Sequence, residues 1–201
     1  MTSSGLFDTF DGSKLQAQGS QYKVSTITGK DYFLIASTVQ NPQCYNVGIH
    51  LTNEGPTGLV MWYLCYDKPL RKDAVISRDG QRFPLYSGDR KLPERLYTDP
   101  SMKVKWWIYD VGDDYLVVGN PDGGPDNRKM WIYSSTPTMS VCTFREICDN
   151  MSRKGFRVSR LLVNPSTLAD CPSGRSGADF PPNRPAVPNS APGNQPVNPV
   201  L

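Results

Sequence analysis

The sequence predicts an all-β protein of about eight short antiparallel strands, arranged as a sandwich or an up-and-down barrel, with one helix near the end. Three observations carry this. Residues 105–135, KWWIYDVGDDYLVVGNPDGGPDNRKMWIYSS, hold apolar, aromatic-rich runs at 106–111, 115–118 and 130–133, the last beyond a polar Gly-Gly-Pro-Asp-Asn loop. Such runs suit a pleated, packed surface, and such a loop joins a hairpin. Upstream, the apolar stretches are all of strand length and are separated by turn residues. The hydrophobic period changes to helical spacing only past Thr136–Pro137, where Val141, Phe144, Ile147 and Met151 recur at three to four residues. One helix after the last main strand tilts the choice toward a barrel with that helix packed outside.

In chain order, residues 1–28 are polar, with Phe7 and Phe10 as isolated anchors, and read as a leader that packs across a barrel end or frays. YFLIASTV (32–39) is a strand, NPQ a turn, and CYNVGIHLT and LVMWYLCY form a hairpin around NEGPTG. A turn centred on Gly55–Pro56 sets Val47 opposite Leu64 and Ile49 opposite Trp62, all four on one face. Residues 73–77 and 82–86 flank Arg-Asp-Gly-Gln as a shorter hairpin, and the charged, proline-broken stretch 87–102 reads as loop. Ser140 suits the helix N-cap and Gly155 its left-handed stop. RLLV (160–163) is a short final strand. Residues 172–201 are so rich in Pro, Asn, Ser and Gly that they read as a disordered tail, which leaves 29–171 as the folded domain.

Composition narrows the function. A chain of 201 residues, 38% hydrophobic, can bury one good core. Its net charge of +3 is small and scattered, with no basic and aromatic interleaving for a nucleic-acid groove. No apolar stretch approaches the ~20 residues of a membrane span. The N-terminus lacks the basic start and apolar core of a signal peptide, whereas the five cysteines favour an oxidising compartment. With no CxxC pair and His50 the sole histidine, a zinc site is disfavoured and disulfides are the better account. The expectation is a secreted or lumenal protein in mature form, with one cysteine free or intermolecular.

The order of motifs resembles the lipocalin family, within it the apolipoprotein D and bacterial or plant lipocalin branch, over residues 29–171. WIYDVGDDYLVVGNP is similar to the family's second motif, with Asp113, Asp114 and Tyr115 at its acidic-Asp-Tyr positions. KMWIYSSTPTMS resembles the third, and GFRVSRLLVNPS the segment after the helix. Two positions depart from the pattern. The first motif, Gly-x-Trp, falls on Lys30-Asp31-Tyr32, and the Arg that closes the third is Ser135. The family's Arg-over-Trp contact at the barrel floor is thus replaced, with the Tyr32 hydroxyl expected to be hydrogen-bonded and other aromatics filling in. The resemblance implies an eight-stranded barrel and a Cys44–Cys171 bridge; Cys44–Cys65 across the hairpin is the lesser alternative, and the partners of Cys65, Cys142 and Cys148 stay open.

For function, the resemblance puts Trp131 in a barrel pocket, and alternation adds Tyr133. With Val47, Ile49, Trp62 and Leu64 these would form an aromatic and aliphatic cup suited to a bilin, carotenoid, sterol or fatty acid, with no cofactor required. The expected protein is a secreted carrier of such a molecule, of open oligomeric state. The plainer reading is that these side chains fill the core, giving a protein-binding lipocalin. Catalysis of an isomerase or epoxide-opening type would rest on Asp110, if it points into the barrel, or on Cys65, which alternation turns outward. His50, next to inward Ile49, is expected to face solvent, and Asp113 and Asp114 to form a turn. The sequon Asn150-Met151-Ser152 needs an exposed helix face.

Overall fold

The computed structural model describes residues 24–40, 44, 46–54, 58–66, 80–87, 94–124 and 126–172. Eight strands follow one another, each paired antiparallel to the next: β1 (Lys30–Ser37), β2 (Asn46–Asn53), β3 (Leu59–Tyr66), β4 (Gln81–Ser87), β5 (Arg95–Tyr97), β6 (Lys105–Val111), β7 (Tyr115–Asn120) and β8 (Lys129–Ser134). β1 also pairs with β8, and this closes the barrel the sequence predicts. The short strand β5 lies in a stretch expected to be loop. Its three residues are held between β4 and β6, where Leu96 turns into the core despite its charged and proline-rich surroundings. The expected leader to residue 23, the strand at 73–77, the turn at Gly55–Pro56 and the tail from 173 lie outside the described residues.

Past β8 come β9 (Met139–Ser140), α1 (Val141–Arg153), β10 (Leu162–Val163) and β11 (Leu168–Ala169). Ser140 caps α1 by accepting the Thr143 N–H at 3.1 Å. Gly155, at φ +84°, takes the left-handed turn after it. The helix lays Ile147, Cys148 and Met151 on the outer barrel wall against Ile35, Tyr109, Val117 and Ile132. β10 pairs with β1 at Ala36 and Ser37.

Two apolar clusters result, one inside the barrel and one between its wall and α1. A bulge feeds the second from each of two strands. Between Leu34 and Ala36 the register of β1 slips, so Ile35 and Ala36 both face the helix. β6 slips likewise between Ile108 and Asp110. Two consecutive residues then share the outer side opposite one partner residue.

One end of the barrel is plugged. A single 3-10 turn, Val24–Thr26, brings Ile27 into the interior cluster with no exposed surface. Gly29, at φ +74°, donates its N–H to Leu51 O at 2.7 Å. Lys30 Nζ donates to Asp113 O at 3.3 Å, and Ser135 N donates to Asp114 O at 2.7 Å, so the β6–β7 turn is tied to the same end. Asp113 and Asp114 thus serve there through their backbone carbonyls. The Tyr32 hydroxyl, expected to be hydrogen-bonded, is buried without a partner. Its ring stands in the apolar interior, and burial pushes its pKa up to about 12.

The disulfides correct the expected Cys44–Cys171 bridge. Cys44 is bonded to Cys65, and Cys142 to Cys171. Sheet register dictates both. Val47 pairs with Cys65, which sets the end of β3 beside the chain entering β2, and the Cα atoms of Cys44 and Cys65 are 5.2 Å apart. β11 runs parallel to β9 with Leu168 beside Met139 and Ala169 beside Ser140. Continuing both chains brings Cys171 alongside Cys142, at a Cα distance of 5.4 Å. Cys148 is the remaining thiol, buried under the helix.

Candidate functional site: the barrel interior

The β2–β3 ladder decides which side chains enter the barrel. Glu54 N donates to Gly58 O at 3.0 Å, and Asn53 pairs with Leu59. The turn is thus one residue longer than one centred on Gly55–Pro56. Ile49 stands opposite Tyr63 and Val47 opposite Cys65, while Trp62 and Leu64 pair with His50 and Gly48. A one-residue slip sends a strand's whole set of side chains to the other face. Val47 and Ile49 therefore line the interior with Met61 and Tyr63, as part of its buried cluster. Trp62 and Leu64, expected in the same cup, lie on the outer wall.

β8 holds its expected alternation. Tyr133 is buried in the interior cluster and Trp131 is half-buried against it. The structure thus unites four of the six predicted lining residues, Val47, Ile49, Trp131 and Tyr133, and adds Tyr63 and Phe83. The signal for Tyr63 lay in NEGPTG, where Gly58, at φ +91°, takes a conformation that favours glycine and closes the longer turn.

Burial varies along the interior. Ile27, Leu51 and Leu116, at the plugged end, are fully buried. Tyr63, Phe83, Trp131 and Cys44 are only partly so. Tyr63 and Phe83 meet edge to face with centroids 6.3 Å apart, and the Tyr63 hydroxyl lies 4.0 Å from Cys44 Sγ. Complete burial, and secondarily Tyr63, push the Tyr133 pKa up. The interior is therefore an apolar wall with phenol hydroxyls as fixed polar groups.

The candidate catalytic residues are placed elsewhere. Cys65 is in a disulfide and is no thiol nucleophile. Asp110 is turned outward by the β6 bulge, where it accepts from Asn150 Nδ2. His50 is on the outer face but does not face solvent. Only 8% exposed, it holds Nδ1 2.5 Å from Asp31 Oδ1, and its Nε2 has no hydrogen-bond partner. The sequon asparagine, Asn150, is half-buried with its amide engaged. Among the described residues no group of three or more His, Cys, Asp or Glu is placed to hold a metal ion, and no helix is long and apolar enough to cross a membrane.

No protein-family model matches the chain, and no curated protein matches it. Solved structures do resemble it. The cockroach major allergen Per a 4 is 9% identical with a TM-score of 0.53, over 77% of this chain and 93% of that one. Apocrustacyanin C2 is 14% identical with a TM-score of 0.49, over 77% and 84%. The siderocalin Ex-FABP is 15% identical with a TM-score of 0.47, over 72% and 99%. At such identities the likeness is one of fold: a closed eight-stranded antiparallel barrel with one helix outside, as in lipocalins.

Proposed function

We propose that this chain is a secreted, lipocalin-type carrier that holds one small hydrophobic molecule in its barrel. The observation that carries this reading is a buried apolar interior that includes three half-buried rings, those of Tyr63, Phe83 and Trp131. Aromatic walls with a few hydroxyls suit a flat, conjugated or sterol-like ligand: a bilin, a carotenoid, a sterol or an unsaturated fatty acid. Tyr133 would contact its buried end, Ile49 and Tyr63 its middle, and Val47 and Trp131 its outer end. Two disulfides support a life in an oxidising compartment, with the Cys44–Cys65 bridge bracing the end opposite the plug.

The test is native mass spectrometry, with an absorption spectrum, of protein purified gently from its own source. A bound small molecule released on denaturation is the expected result, and visible absorption would identify a pigment. A clean apo mass, together with failure to load retinoids, bilins, sterols and fatty acids, would overturn the proposal. The barrel would then be filled by its own side chains, as in a protein-binding member of this fold.

A further inference from the structure

The barrel interior holds a hydroxyl that the protein itself leaves unanswered. Tyr32 is 1% exposed, its ring belongs to the interior apolar cluster, and its oxygen is buried without a hydrogen-bond partner. A buried tyrosine hydroxyl ordinarily finds a partner, since leaving it unpaired forfeits its hydration for nothing in return.

The register puts this ring where a ligand would lie. Tyr32 and Tyr63 stand on either side of Ile49, one across the β1–β2 ladder and the other across β2–β3. Tyr63 is only partly buried, and its hydroxyl lies 4.0 Å from Cys44 Sγ. Trp131, also partly buried, pairs with Ser37 at the last residue of β1, so a molecule passing it toward the plug meets Tyr32 deeper in. Tyr109 makes the contrast. Its hydroxyl is likewise buried without a partner, but its ring is sealed on the outer wall against Phe156.

The chemistry of the missing partner follows. Burial pushes the Tyr32 pKa up to about 12, so at neutral pH the oxygen keeps its proton and offers a donor. A carbonyl oxygen accepts that proton and brings none of its own. An alcohol also accepts, but it carries in an O–H that needs a second partner. A carboxylate is costly to bury without a cation. Among the described residues the buried charged groups supply none inside. Arg128 donates to Gly155 O beyond the wall, His50 faces outward beside Asp31, and Glu94 and Asp110 are acids.

We infer that the carried molecule is a flat, apolar ketone or aldehyde whose carbonyl oxygen accepts the Tyr32 hydroxyl, with its body against Ile49, Tyr63 and Trp131. The inference rests on the carrier reading above and narrows it. A hydrocarbon would leave Tyr32 unpaired, and a free fatty acid would bury an unmatched charge. A site built around a lone buried donor discriminates in this way against molecules that cannot meet it.

The experiment is equilibrium dialysis of the full chain against 2-acetylnaphthalene, 1-(2-naphthyl)ethanol, 2-ethylnaphthalene and 2-naphthoate, which share one ring system and differ in the polar group. The ketone should bind ~5-fold more tightly than the alcohol, and the acid should bind far more weakly than the ketone. Tyr32→Phe keeps the ring and should weaken the ketone ~5–10-fold while leaving the hydrocarbon within ~2-fold. Tyr109→Phe, the same change outside the barrel, should alter neither. The infrared carbonyl stretch of the bound ketone should lie at lower frequency in the wild-type chain than in Tyr32→Phe, a difference that a change in packing alone would not produce. Equal losses for ketone and hydrocarbon in Tyr32→Phe, an unshifted carbonyl band, or an alcohol or acid that binds as tightly as the ketone would each overturn the inference and leave the carrier reading standing. If none of the four binds, the two fall together.

Discussion

Ile49 stands directly opposite Tyr63 across the β2–β3 ladder, so the phenol of Tyr63, and not the indole of Trp62, enters the barrel. A hydrophobic ligand should therefore respond to one and ignore the other. Tyr63→Ala or Trp131→Ala should weaken a bound sterol or pigment by ~10-fold, about 1.4 kcal/mol, in a fluorescence titration. Leu64→Ala, on the outer wall, should leave that affinity unchanged. Equal losses from Tyr63→Ala and Leu64→Ala would contradict the register.

The two disulfides close loops of sequence separation 21 and 29. Loops of this size stabilise by about 3 kcal/mol each in the chain-entropy account. Replacing Cys142 and Cys171 together by Ser should lower the unfolding free energy by roughly that amount, measured by denaturant titration. Peptide mapping without reduction should recover the 44–65 and 142–171 cross-links, with Cys148 alkylated only after unfolding. A 44–171 peptide would refute the pairing.

How far the sequence could be read follows from what each feature depends on. The helix assignment rests on local period, and α1 is clean in it, so Ser140 and Gly155 were legible; the inward side of β8, which is apolar on both faces, came from the family resemblance for Trp131, and alternation extended it to Tyr133. Val47 and Ile49 were also legible, because β2 alternates between small or polar residues and branched ones. Trp62 and Leu64 were misplaced because β3 reads LVMWYLCY, apolar on both faces, and gives no sign of its own inward side. Only the turn length sets that, and NEGPTG admits more than one. The bulges at Ile35–Ala36 and Tyr109–Asp110 leave no mark in composition, which hid the outward aim of Asp110. Disulfide partners are a property of register, here the parallel β9–β11 contact between two-residue strands that no periodicity reveals.

The Tyr109 hydroxyl is fully buried with no hydrogen-bond partner, while its ring packs edge-on against Phe156 at 4.8 Å. Tyr109→Phe keeps the ring and removes the desolvated group, so it should raise stability by about 1 kcal/mol. The contrast is Gly119→Ala in the same cluster. A Cβ there would lie 2.9 Å from Lys129 O and 3.1 Å from the Phe156 ring. Backbone cannot yield as a flexible side chain can, so a loss of about 1–3 kcal/mol is expected. Thermal unfolding of the two variants should move in opposite directions.

Alkali should destabilise the fold in a defined window. Burial raises the pKa of Tyr32 from 10.0 to about 12, and burial with nearby carboxylates does the same for Tyr115. Above pH ~10 the unfolded chain releases protons that the folded chain retains, so the unfolded state binds fewer and stability falls as pH rises. The contribution is fully present below the unfolded value and is lost as pH climbs through the folded one. Denaturant midpoints at constant salt should therefore be flat to about pH 9.5 and then decline toward pH 12. Tyrosinate absorbance of the folded protein should rise in two stages, with exposed tyrosines first. Tyr32→Phe separates the cause from general charge repulsion. It removes a buried hydroxyl without a partner, so it should raise stability at neutral pH and flatten the decline above pH ~10. If the slope is unchanged in that variant, Tyr32 ionises as freely in the folded barrel as in the unfolded chain.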